Sequence, residues 1–147
     1  MKARINYDCV NYIYEAFVGN HMKHEIGGIL LGLRTDEKII ATKAVSILSA
    51  KECPYSYSLD GCKATDIVNS SDYDFVGIWH SHINSCDHFT KTDEMVNKGF
   101  AKTFDGIISI LVVADNDDNT RVLPCFVNNE GKCEHCYDCL LYTSDAA

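Results

Sequence analysis

The sequence predicts a single α/β domain in which a mixed sheet is sandwiched by helices. Three observations carry this expectation. The chain has 147 residues, 46% of them hydrophobic, which is enough for one core and too few for two. Helix-like and strand-like stretches follow one another in the order α-β-β-β-α-β-α-β-β, an order that lays helices on the faces of a sheet. The run Gly106 to Ala114 is continuously apolar, as expected of a central strand covered on both faces.

The elements follow in chain order. Lys2 to Ile5 reads as a short strand. Tyr7 to Val18 reads as a helix, because Val10, Ile13, Tyr14 and Phe17 recur at i, i+3, i+4 and i+7. Asn6 stands where an N-cap belongs and Gly19 where a helix stops. Glu25 to Gly32 enters a strand whose glycines imply close approach by another backbone or a ligand. Thr35 to Lys38 is a hairpin turn into a strand from Ile39 to Leu48. Ser49 to Pro54 is loop. Tyr55 to Leu59 alternates polar and apolar residues and reads as a half-buried strand. Cys62 to Ser70 reads as a short helix with Ala64, Ile67 and Val68 inward. Asp74 to His82 is a strand. Thr90 to Lys102 is a helix whose inner face is expected to carry Met95, Val96, Gly99 and Phe100. After the strand at Gly106 to Ala114, Asp115 to Asn119 is a turn and Arg121 to Val127 a last strand.

Charge and composition exclude several classes. The formal net charge is −8. That disfavours a protein that tracks nucleic-acid phosphates and is compatible with a basic partner. No apolar run approaches the roughly 20 residues that span a bilayer. The first residues, MKARINYDCVNYIYEAF, contain no continuous apolar core of a signal peptide. The expectation is therefore a cytoplasmic protein. Its eight cysteines are then free thiols, most of them small buried hydrophobes.

The chemistry concentrates in His80 to Asp93, HSHINSCDHFTKTD. On a strand, residues i and i+2 project to one face, so His80 and His82 would aim into one space while Ser81 points away. Two imidazoles and the carboxylate of Asp93 suit a zinc site that leaves one position open for water. Thr90 and Asp93 also have the spacing of a capping box, an N-cap hydroxyl with an acid at N3. The two readings are compatible.

Together with Glu25 in HEIGGILLG, the spacing His80-Ser81-His82, seven residues, Thr90, two residues, Asp93 resembles the JAMM motif of the JAB/MPN zinc metalloproteases. The run GIWHSH is also typical of that family, and the resemblance extends from about Ile5 to Val127. It implies an α/β sandwich of JAB/MPN, cytidine-deaminase-like architecture. It implies that His80, His82 and Asp93 hold Zn2+, and that Glu25 is the general acid and base. Thr90 would then donate to the oxyanion of the tetrahedral intermediate. The implied substrate is ubiquitin, a ubiquitin-like protein or its conjugates, cut at or after the C-terminal glycines, as in compact prokaryotic members. Two positions depart from the family pattern. Ile83 replaces a proline, and Thr90 replaces a serine while keeping the hydroxyl. Non-catalytic relatives serve as interaction scaffolds, but here the ligands and Glu25 are all present. Relatives associated with DNA repair share the pattern, and the acidic balance speaks against them.

Other candidate constellations are weaker. His88 lies in a polar loop and reads as solvated rather than as a fourth ligand, and Cys86 as an ordinary thiol. Cys133-x-x-Cys136-x-x-Cys139, with His135, resembles half a zinc knuckle. Asp115, Asp117 and Asn119 lack the glycine and the terminal glutamate of a calcium loop. The H-x-E and P-C-x-x-C pattern of the zinc deaminases is absent. The ending CLLYTSDAA resembles a translated sequencing adapter, so residues 1–138 are expected to form the domain and 139–147 a non-native tail.

Overall fold

The computed structural model describes residues 1–20, 23–53, 55–84, 86–114, 119–135 and 140–141. Its spine is a curled mixed sheet with three helices among the described residues. The strands are β1 (Lys2–Asn6), β2 (Gly27–Arg34), β3 (Lys38–Ser46), β4 (Asp74–His82), β5 (Ile107–Ala114), β6 (Thr120–Val127), β7 (Cys133–His135) and β8 (Leu140–Leu141). The helices are α1 (Tyr7–Gly19), α2 (Gly61–Asn69) and α3 (Lys91–Phe104). The sheet order is β7-β6-β5-β4-β2-β3-β1-β8. β4 and β5 run parallel, as do β1 with β3 and β1 with β8; the other pairs are antiparallel. Two residues of the expected foreign tail thus form β8, and the rest of that tail lies outside the described residues, as do 115–118 of the expected turn.

Each sheet face has its own core. On one face α1 presents Cys9, Ile13 and Phe17 to Leu30, Ile39, Trp79, Ile108 and Ile110. Ile13 and Phe17 are buried as expected, but Cys9 completes the stripe: Val10 is only half-buried and Tyr14 is exposed. Burial in this core pushes the Cys9 thiol up to about 12. On the other face α2 packs Ala64 against Ile29 and Leu31, and α3 packs Ala101 against Ile78, Ile107 and Val127. β5 is buried along its whole length, as its unbroken apolar run predicts.

Two backbone features set which way the central strands face. Leu30 pairs with Gly77 but Leu31 pairs with Phe75, so Val76 is an extra residue on β4. This bulge sends Val76 and Trp79 to the α1 face and Phe75 and Ile78 to the face of α2 and α3. His80 and His82 follow Ile78 at strand period and share its face. At Gly28 an added Cβ would stand 1.8 Å from the Val45 carbonyl oxygen, which accounts for a glycine in the middle of a strand.

Several local expectations are corrected. Tyr55 to Leu59 forms no strand; it lies against Gly27 of β2, whose two edges are already taken by β3 and β4. The segment is held instead by Tyr57 Oη donating to the Ile47 carbonyl and by Ala50 N donating to Ser58 O. Asn6 occupies the N-cap of α1 without a side-chain cap bond, and the helix runs through Gly19 to a C-cap at Asn20. On α3 the buried residues are Asn97 and Ala101, whereas Met95 and Val96 are exposed. Among the described cysteines only Cys9 is buried; Cys53, Cys62 and Cys133 are exposed, and Cys86 and Cys125 intermediate.

Candidate metal centre

β4 ends in the two histidines, and α3 begins with the carboxylate that meets them. The Nε2 atoms of His80 and His82 lie 3.3 Å apart. Asp93 places Oδ1 3.3 Å from His80 Nε2 and Oδ2 3.1 Å from His82 Nε2. Among the described residues these three form the one group of its kind able to hold a metal ion. Their spacing suits zinc: bonds of about 2.0–2.1 Å at tetrahedral angles put neighbouring ligand atoms about 3.3 Å apart. Two imidazoles and one carboxylate also leave the fourth position free, the arrangement of catalytic rather than structural sites.

The surroundings orient these groups. His82 Nδ1 donates to the Cys86 carbonyl at 2.9 Å, which leaves the Nε2 lone pair for a ligand bond. Thr90 caps α3. Its Oγ1 accepts from Asp93 N at 3.2 Å, and its own N–H donates to Asp93 Oδ2 at 2.9 Å, completing the capping box. Because Oγ1 acts there as an acceptor, its hydroxyl proton stays available, and the residue is exposed. Phe89 lies beside the His80 ring, with centroids 6.1 Å apart.

Hydrogen bonds within the cluster shift two of its groups. Burial alone would raise the Asp93 carboxyl, but bonds from His80 and His82 outweigh it and hold it far below the ordinary carboxylate range. Burial would likewise lower His82, yet its bonds to Asp93 and the Cys86 carbonyl push it up to about 9.

Glu25 enters from the segment that leads into the neighbouring strand β2. It sits two residues before β2 and is buried, 8% exposed. Its segment is clamped to β4: Ile26 N donates to Ser81 Oγ at 2.9 Å, and Ser81 N donates to Ile26 O at 2.8 Å. Gly27 pairs with His80 in the ladder. Burial raises the Glu25 carboxyl above its ordinary value, opposed by the charges of His82 and His80 and by the Tyr57 backbone N–H. A raised carboxyl beside a metal-ready triad has the character of a proton-transfer group. Beside it opens a groove of about 680 Å³ lined by Glu25, Gly27, Ile47, Lys51 and Tyr57 among others.

The expected residues therefore meet, and three supporting groups were not foreseen. Ser81, between the ligands, turns away from them as predicted, but its hydroxyl is what anchors the Glu25 segment. Tyr57 covers Gly27 so closely that an added Cβ would stand 2.6 Å from its ring. The Cys86 carbonyl leaves no trace in a side-chain pattern. His88 stays outside the triad, its ring exposed and 3.6 Å from Asp87; the Cys86 thiol lies 3.7 Å from that ring. Cys133 is on β7, while Cys136 and Cys139 lie outside the described residues.

No protein-family profile and no curated protein matches the chain. Solved structures do. The solution structure of protein DSY2949 from Desulfitobacterium hafniense is 13% identical with a TM-score of 0.69, over 96% of this chain and 92% of that one. The crystal structure of AF2198, a JAB1/MPN domain protein from Archaeoglobus fulgidus, is 16% identical with a TM-score of 0.58, over 95% and 98%. Identities this low speak to architecture only. By its sheet, its helices and this likeness, the chain has an MPN-like fold.

Proposed function

We propose that the protein is a zinc-dependent peptidase or isopeptidase that cuts after the C-terminus of ubiquitin or a ubiquitin-like protein. The observation that carries this reading is the convergence of His80, His82 and Asp93 at 3.1–3.3 Å beside the buried carboxyl of Glu25. A zinc ion held there would act as a Lewis acid, acidifying water and polarising the scissile carbonyl. Glu25 takes the proton from the attacking water and returns it to the leaving amine. Burial suits Glu25 to both halves, because a raised carboxyl is a stronger base towards the attacking water than an ordinary one and still an acid strong enough to protonate the leaving amine. Thr90 offers its free hydroxyl proton to the developing oxyanion while the same oxygen caps α3. The groove beside Glu25 supports an extended peptide as substrate, and the open face of the site supports a protein rather than a small molecule.

The test is a panel of ubiquitin-like fusion proteins, with and without a chelator. Wild type is expected to cleave at least one, and chelation to stop it. Glu25→Gln should retain zinc and lose cleavage by a factor of about 10² or more, the scale of general acid–base catalysis. Cleavage by Glu25→Gln at the wild-type rate would place the base elsewhere. Zinc-loaded wild type that cleaves none of the panel would leave a non-catalytic interaction domain as the better reading.

A further inference from the structure

α3 buries two residues, Asn97 and Ala101, and the first is polar. Asn97 is 3% exposed. Its Oδ1 accepts from Ser109 Oγ at 2.8 Å, and its Nδ2 has no hydrogen-bond partner. Ser109 is fully buried and is the one polar residue of β5, IISILVVA. An apolar pair would fill this space without leaving an amide half satisfied, so core stability does not account for the choice.

Its position does. In the parallel ladder Ser109 stands beside Ile78 and Leu111 beside His80. The Ser109 level is thus one same-face step, two residues, below His80. Asn97 is one turn beyond Asp93 on α3. Two strand residues rise about 6.6 Å, and four helical residues about 6 Å. α3 joins β4 to the parallel β5 and runs back against both. The step from Asp93 to Asn97 therefore matches the step from His80 down to Ser109. The Asn97–Ser109 bond and the Asp93–histidine contacts are two rungs of one helix-to-sheet register. A slip of one turn would carry the carboxylate about 5.4 Å along the helix axis, beyond ligand distance.

We propose that Asn97, through Ser109, is a positioning residue that fixes α3 on β5 so that Asp93 meets His80 and His82. The inference rests on the metal-site reading above and assigns a residue outside the ligand set to it. A directional bond holds one register where a purely apolar contact tolerates several, which is the best-attested use of a buried polar pair. Neither residue touches the ligands, so each acts through the placement of the helix.

The test is Co2+ binding, followed by its visible absorption, in wild type, Asn97→Leu, Ser109→Ala and the double variant. Urea unfolding of each metal-free protein separates folding from placement. Both single variants should stay folded yet bind cobalt about 10- to 100-fold more weakly, the range for residues behind a metal ligand. They should also show an altered absorption band. The double variant should match the singles, because all three lose the same bond. Cobalt affinity and band shape unchanged in folded variants would overturn the positioning role while leaving the metal site intact. If wild type itself takes up no cobalt, and His82→Ala behaves identically, the metal-site reading fails and this one with it. Should Asn97→Leu not fold, Ser109→Ala decides, since it removes the same bond by deleting a single hydroxyl.

Discussion

At the scale of single residues, the site is built from groups that serve twice. Thr90 caps a helix and, in the proposed mechanism, also serves the oxyanion. Thr90→Ala is expected to cost about 1 kcal/mol in folding, the value of an N-cap, and on the order of 10²-fold in turnover, the value of an oxyanion donor. Thr90→Ser should restore both, and kcat measured beside urea unfolding separates the two effects. His82 carries a pH signature. Its value in the metal-free fold, about 9, lies above the ordinary 6.5. The stabilisation it gives the metal-free protein is therefore full below about 6.5 and is lost as pH rises through about 9. Metal binding at pH 7 must displace that proton. Calorimetry in buffers of different ionisation enthalpy should report release of about one proton; a buffer-independent enthalpy would contradict it. The members of the candidate metal group and the carboxyl of Glu25 were legible in the sequence because side-chain identity carries them. The Cys86 carbonyl was not, since a backbone acceptor has no residue type.

At the scale of elements, β4 was legible to the residue, from Asp74 to His82, because a buried apolar run ending in spaced histidines has one reading. α3 was legible as a helix but not in its rotation. Its buried stripe runs through Asn97 and Ala101, and a pattern that sorts by hydrophobicity puts asparagine outside. The alternation at Tyr55 to Leu59 misled for the opposite reason: it is local, whereas a strand also needs a free edge. The element that joins Glu25 to the candidate metal group is the clamp between Ile26 and Ser81. Ser81→Ala would leave the Ile26 N–H without its partner, at a cost of about 1–3 kcal/mol. It should lower kcat by loosening Glu25 while leaving zinc content near one per chain. Loss of zinc in that variant would mean that Ser81 supports the ligands instead.

At the scale of the whole molecule, the sheet can fold before any ion arrives. The cores on its two faces are largely apolar, and His80, His82 and Asp93 already contact one another. Among the described residues no helix is long and apolar enough to cross a membrane. Zinc should therefore add to an existing fold rather than create one. At a hundredfold excess over Kd it should add about 2.7 kcal/mol, or roughly 5–10 °C in Tm for a domain of this size. Chelation should remove that increment from wild type and change nothing in Asp93→Ala. The strand order was only partly readable from the chain, because β1 and β8 pair over sequence distances that no local pattern spans. Asp93 Oδ2 receives both the Thr90 N–H and His82. A bound ion would share that oxygen with the first turn of α3, so occupancy and helix fraying become a single equilibrium. Ion binding should then slow fraying at the start of α3, and slow amide exchange there becomes a record of how long the ion stays.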